Sequence, residues 1–245
     1  MPALQIYGHR GARAEAPENT LASFRRAIDA GVTRVELDLH LSADQQLMVI
    51  HDPTLKRTTG LHGKVAQHSA DYLRRLDARH ALPDWVEPCP IPSLDQLFAA
   101  CPEIRHYQLE VKSGSTEQAR RVLSAILQLV EQFGLQERVT VTSSSRTLLR
   151  QAHTSNYPLP TGLVEEYGLL DPVKSALRYG CRMLVLNWTL CSPALLARAR
   201  QTGLHVSVWT VNEPELMQHL ATLGVDSLIT DRPTLAMQLF PDAGS

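Results

Sequence analysis

The stretch Glu36-Leu-Asp-Leu-His-Leu-Ser-Ala-Asp-Gln-Gln-Leu-Met-Val-Ile-His-Asp52 changes character halfway along. Its first half alternates strictly, so that Glu36, Asp38 and His40 share one face of a strand and Leu37, Leu39 and Leu41 the other. Two neighbouring carboxylates repel, and burial makes the repulsion worse. A positive group is therefore expected between them, most simply a divalent cation. The second half, Gln46 to Ile50, reads as a short strand that runs on to His51, with Ser42-Ala43-Asp44-Gln45 as the turn. A four-residue loop there sets Glu36 opposite His51 on one face. An imidazole returns beside the carboxylates, bringing an acid/base group to a metal site.

Outward from this hairpin the chain alternates strand and helix. Upstream, Leu4 to Gly8 is a strand that ends at His9-Arg10-Gly11, and Asn19 is the expected N-cap of a helix carrying Leu21, Phe24 and Ile28. Gly31 stops that helix, and Val32 to Leu41 forms the second strand. Residues 53 to about 92, rich in Pro and Gly, interrupt the pattern and read as an insertion without a core of its own, helical only at Tyr72 to Ala78. Further strands are expected at His106–Val111, Arg138–Thr142, Leu159–Val164, Met183–Asn187, Leu204–Trp209 and Val225–Thr230, each followed by a helix. Asp171-Pro172, Ser192-Pro193 and Glu213-Pro214 open three of those helices.

Eight strand–helix units in 245 residues are the dimensions of an α/β protein of the (β/α)8, or TIM barrel, class. The expected organisation is a single domain over residues 1–245, with the small insertion after the second strand. An open doubly wound sheet is the alternative, but no Gly-x-Gly-x-x-Gly follows the first strand.

With 44% hydrophobic residues the chain can fill a substantial core, and a net charge of -1 gives no field to attract nucleic acid or an anionic membrane. Cys89, Cys101, Cys181 and Cys191 form no C-x-x-C or zinc pattern and fit a reducing compartment. No signal peptide and no apolar run of ~20 residues is apparent, so a cytoplasmic protein without stable membrane association is expected.

In such a barrel chemistry sits at the C-terminal strand ends. Those ends carry His9-Arg10, Glu36, Asp38, Glu110, Lys112, Thr142, Glu165, Asn187, Trp209 and Asp231. Glu36, Asp38 and Glu110 offer hard oxygen donors suited to Mg2+ or Ca2+. His9 beside Arg10 and Gly11 is a candidate proton carrier, and every other histidine except His51, His40 included, reads as structural or exposed. Trp209 reads as packing or a substrate wall; Trp85 and Trp188 read as packing.

These residues fall into ordered motifs: His9-Arg10-Gly11, Pro17-Glu18-Asn19-Thr20, Glu36-x-Asp38, His51-Asp52, Leu55-x-Arg57-Thr58-Thr59 and Glu110-x-Lys112. Trp209-Thr210-Val211-Asn212 and Asp226-x-x-Ile229-Thr230-Asp231-x-Pro233 follow. Together they closely resemble the glycerophosphodiester phosphodiesterases, particularly the short cytoplasmic bacterial type. The resemblance implies metal-dependent hydrolysis of glycerophosphodiesters to glycerol 3-phosphate and an alcohol such as choline or ethanolamine. It implies Glu36, Asp38 and Glu110 as ligands of Mg2+ or Ca2+, and His9 and His51 as the acid/base pair. Arg10 and Lys112 would neutralise the phosphate and Trp209 would line the pocket. It favours His51 as acid and His9 as base; the attacker is a substrate hydroxyl, through a cyclic phosphate, or water. The chain departs from many relatives at Ser42 and Asp44-Gln45 in the hairpin turn, and at Ser143-Ser144-Ser145, where an aromatic residue is usual. A lysophospholipase D-type enzyme and a non-catalytic glycerophosphodiester-binding barrel are the alternatives.

Overall fold

The computed structural model describes residues 4–112 and 114–244. Met1–Ala3, where the chain was expected to run directly into its first strand, lie outside the described residues. The strands are β1 (Gln5–His9), β2 (Arg34–Leu41), β3 (Leu47–Val49), β4 (His106–Val111), β5 (Val139–Ser143), β6 (Thr161–Glu165), β7 (Met183–Asn187), β8 (His205–Trp209) and β9 (Ser227–Thr230). The α-helices are α1 (Leu21–Asp29), α2 (Lys56–Thr59), α3 (Ala70–Leu73), α4 (Leu94–Ala100), α5 (Thr116–Phe133), α6 (Arg146–Thr154), α7 (Pro172–Arg178), α8 (Pro193–Gln201), α9 (Pro214–Leu223) and α10 (Pro233–Leu239).

Every strand except β3 pairs in parallel with its neighbours in the chain, and β1 pairs with both β2 and β9, so the sheet closes on itself. A helix lies between each pair of successive parallel strands, giving the expected (β/α)8 barrel. The outward face of β2 supplies Val35, Leu37 and Leu39 to the main core between barrel and helices, which is why its carboxylates face the barrel interior. Inside the barrel, Tyr7, Val164, Met183, Val185 and Ile229 form a smaller apolar cluster against which Trp209 packs. Asp171 and Ser192 cap α7 and α8 by accepting backbone N–H bonds, each followed by a proline at the first helical position.

Four local expectations are corrected. Thr20, not Asn19, caps α1, accepting from Ser23 N at 3.3 Å. The hairpin pairs Leu39 with Val49, His40 with Met48 and Leu41 with Leu47, so its loop is one residue longer than expected and Glu36 is not directly opposite His51. Ser42 is the cause: its hydroxyl accepts from Gln46 N at 2.9 Å and donates to Asp44 Oδ1 at 2.6 Å, and Gln45 takes φ 63° to close the wider turn. In the insertion the helix is at Ala70–Leu73, not Tyr72 to Ala78, because Ser69 accepts from Tyr72 N and starts it earlier. The segment also holds a small core: Leu55, Val65, Ala70, Leu73, Leu76, Ala78 and Ile91 pack on Met48 and Ile50 of the hairpin. Their irregular spacing hid this cluster.

The lower barrel interior holds two histidines. His106 Nδ1 meets Tyr7 Oη at 3.0 Å, and His205 Nε2 meets Ser227 Oγ at 2.8 Å. Burial, with Arg34 and His205 nearby, pushes His106 down to about 4, and burial lowers His205 too. The unfolded chain takes up these protons near pH 6.5, whereas the folded chain resists them until lower pH. Stability from this pair is therefore full above pH ~6.5 and lost as pH falls towards ~4. Urea midpoints measured across that range should decline, and His106→Gln should flatten the decline.

Candidate active site

The turn after β1 is tight. Arg10 and Asn19 both adopt positive φ, 51° and 56°, and Gly11 sits at φ 88°. A Cβ at Gly11 would meet Ser23 Oγ at 2.5 Å, so only glycine fits where the turn passes α1. This backbone delivers His9 and Arg10 to the C-terminal mouth of the barrel. There they meet Glu36 and Asp38 from β2, Glu110 and Lys112 at the end of β4, and His51 after β3.

Glu36, Asp38 and Glu110 each offer an oxygen within 4.8 Å of the others. Burial, reinforced by Asp38 and Glu110, pushes Glu36 well above the carboxylate range. Burial and Asp38 raise Glu110 to about 7. Burial acts on Asp38 too, but Arg10, His51 and Lys112 outweigh it and hold that carboxyl low. Asn19 Nδ2 also donates to Asp38, at 3.1 Å. Glu36 Oε1 is buried with no hydrogen-bond partner. An orphaned acceptor within three converging carboxylates is the donor set a hard divalent cation requires, so these residues fit such an ion.

The two imidazoles are mounted alike. His9 Nδ1 lies 2.6 Å from Asp231 Oδ1, and His51 Nδ1 lies 2.6 Å from Asp52 Oδ1. With each Nδ1–H donating to its carboxylate, each Nε2 is directed inward. His9 Nε2 lies 3.7 Å from Glu36, and His51 Nε2 lies 2.7 Å from Lys112 Nζ. Burial holds His51 below the usual imidazole range despite the Asp38 charge. Asp231 is steadied by Asn212, whose Nδ2 donates to Oδ2 at 2.8 Å.

An ion chain joins the two sides of the site. Arg57 of α2 donates through Nε to Asp52 at 2.7 Å and through both terminal nitrogens to Glu18 at 2.6 and 2.8 Å. Glu18 also accepts from Arg10 Nη1 at 2.8 Å. Burial opposes the charge on Glu18, but Arg57 and Arg10 outweigh it and hold this carboxyl far below its ordinary range. The insertion thus reaches back to hold both the His51 and the Arg10 ends.

All eight residues singled out from the sequence (His9, Arg10, Glu36, Asp38, His51, Glu110, Lys112 and Trp209) therefore come to one mouth. Seven of them, with Thr142, Ser144, Glu166 and the apolar Val164, Val185 and Ile229, line a cavity of about 420 Å³. Asp38 lies behind them, buried. Charge gathers on the β1–β2–β4 side and apolar surface on the β6–β9 side.

Two strand ends do not join it: Glu165 is bound by Arg146, and Asn187 caps the turn that follows it. Trp188 is 42% exposed and is not a packing residue. Sequence reasoning gave no role to Asp52, Asp231, Glu18 or Arg57, although all four lie in quoted motifs.

The Glycerophosphoryl diester phosphodiesterase family matches residues 9–235. A glycerophosphodiester phosphodiesterase of Caldanaerobacter subterraneus subsp. tengcongensis is 30% identical over 240 residues, covering 98% of each chain. The structure of a putative glycerophosphoryl diester phosphodiesterase from Silicibacter pomeroyi DSS-3 superposes with TM-score 0.89 at 26% identity, over 100% of this chain and 95% of that one. An Oleispira antarctica phosphodiesterase, solved with the product sn-glycerol-3-phosphate, shares the fold with TM-score 0.88 at 23% identity over 98% of both chains. By its matched length, its relatives and its barrel, the chain belongs to the glycerophosphoryl diester phosphodiesterase family.

Proposed function

We propose that this protein hydrolyses glycerophosphodiesters such as glycerophosphocholine and glycerophosphoethanolamine to glycerol 3-phosphate and the free alcohol, with a divalent cation, Mg2+ or Ca2+. The observation that carries this is the pair of carboxylate-anchored imidazoles facing one cavity beside three converging acidic groups. Glu36, Asp38 and Glu110 would hold the cation. When bound, it offsets phosphate charge and stabilises the charge that develops on the phosphoryl oxygens.

The remaining work belongs to side chains. Arg10 and Lys112 attract and orient the phosphate. His9, its Nδ1–H engaged by Asp231, presents a bare Nε2 that can take a proton from the attacking hydroxyl. Lys112 Nζ, 2.7 Å from His51 Nε2, can pass a proton to that nitrogen, which can deliver it to the departing oxygen. Trp209 with Val164, Val185 and Ile229 walls the opposite side, where the carbon chain of glycerol packs. The chain acts as a single domain whose insertion serves the site, in the cytoplasm, on small-molecule diesters and not on nucleic acid.

A lysophospholipid is a second candidate substrate. Tyr167, Leu169 and Leu170, between β6 and α7, and Trp188, just after β7, are exposed at the apolar side of the same rim, where an acyl chain on the glycerol would lie. No helix among the described residues is long and apolar enough to cross a membrane.

Incubation with glycerophosphocholine and with lysophosphatidylcholine, with and without EDTA, separates these outcomes. Glycerol 3-phosphate and choline should appear from the first substrate, cease with EDTA and return on adding Mg2+ or Ca2+. Turnover that survives exhaustive chelation would remove the cation from the proposal, and binding without turnover would leave a non-catalytic barrel.

Arg57 touches no substrate, yet it fixes Asp52 and Glu18 together. Arg57→Ala should lower kcat about 10- to 100-fold, the usual cost of losing an outer partner of a site histidine. Steady-state kinetics beside a melting curve would check that kcat falls while the fold persists.

A further inference from the structure

A second, larger hollow of about 780 Å³ opens beyond the catalytic cavity, between the hairpin and insertion on one side and the start of α5 on the other. The two hollows share Lys112 and Ser144 in their walls, so they adjoin at a lysine and a small side chain. Lys112 is the residue that contacts His51, so the second hollow begins beside the point where the proposed acid meets the departing oxygen. The second hollow is lined by Lys64, Lys112, Arg121 and His40, with Glu117 as its carboxylate. Glu117 is occupied by Arg120 at 2.8 Å and Arg121 at 2.9 Å, whereas Lys64 has no ion pair among the described residues. No aromatic side chain other than the His40 ring lines it, and that ring is tied to His51 O at 3.0 Å.

We propose that this hollow is the subsite for the departing alcohol, and that it takes alcohols carrying a further anionic group, with Lys64 as the charge selector and Ser144 as the threshold. The assignment rests on the phosphodiesterase function proposed above. A quaternary ammonium alcohol is recognised by aromatic faces or free carboxylates, and this hollow offers neither. An added phosphate finds instead one unpaired ammonium and the outer side of Lys112. Water is added across the P–O bond to that alcohol: its oxygen goes to phosphorus and a proton to the departing oxygen. No further reactant is needed.

The test uses three glycerophosphodiesters whose alcohols are methanol, choline and glycerol 3-phosphate. Methanol is too small to pass Ser144 and reports the catalytic cavity alone. In the wild type, kcat/KM should be highest for the glycerol 3-phosphate ester, and this preference should fade as salt rises. Lys64→Glu should reduce the ratio of that ester to the methyl ester by roughly threefold to tenfold, the range of one partly screened charge contact and its reversal. Ser144→Phe should reduce the same ratio by filling the boundary between the two hollows. If both variants keep the wild-type ratio while still turning over the methyl ester, the subsite assignment is wrong and the phosphodiesterase function stands. If the wild type turns over none of the three esters, the function fails and the subsite with it.

Discussion

His51→Ala is expected to lower kcat for glycerophosphocholine by roughly 10²–10⁴-fold, the usual cost of losing an acid/base group. Three observations argue for so large an effect. The ring is fixed through Nδ1 by Asp52, its Nε2 lies 2.7 Å from Lys112, and burial weakens its hold on a proton, so one placed on Nε2 is readily given up. The carboxylates are left in place, so affinity for Mg2+ or Ca2+ should change little. A substrate with a good leaving group, such as a p-nitrophenyl ester of glycerol phosphate, needs less protonation and should recover much of the loss. Near-wild-type turnover of glycerophosphocholine by the variant would exclude His51 as a proton carrier.

Glu36→Gln is expected to reduce activity at a fixed, low concentration of Mg2+ or Ca2+ by about 10²–10³-fold, because the contribution of a bound cation to the transition state is several kcal/mol. Glu36 is the most exacting of the three acids. It is buried, its Oε1 has no protein partner, and its other oxygen accepts from the backbone N–H of Arg10 at 3.3 Å. An amide keeps the volume and removes the charge. Titration calorimetry with either ion should show weaker binding, and excess ion should restore part of the activity. Unaltered affinity would remove Glu36 from the ligand set. Glu110→Ala should behave in the same direction.

The barrel was legible because strand and helix periods differ so plainly, and because proline, serine and glycine punctuate the boundaries. His106–Val111 and Met183–Asn187 occur as read. The carboxylate face of β2 was legible for the same reason: alternation puts Glu36 and Asp38 together whatever the neighbouring strands do. What escaped detection depends on contacts that spacing does not encode. The extra residue in the hairpin loop comes from one hydroxyl, that of Ser42. Asn19 resembled a cap because caps and metal-site partners draw on the same short polar side chains, and its amide was needed at Asp38 instead. Glu18 and Arg57 are 39 positions apart, and their pairing becomes visible only when the insertion folds back over the mouth.

The bond between His9 and Asp231 spans 222 positions. One partner leaves the ribosome 222 residues before the other. A growing chain therefore carries its acids, its arginine and both imidazoles long before it can use them, since the ring on the first strand stays unanchored until the last strand slots in beside it. On the mechanism proposed above, ring closure is also the moment of activation, and any product of synthesis broken off before Asp231 should fail to turn over glycerophosphocholine however much of the cylinder it has formed.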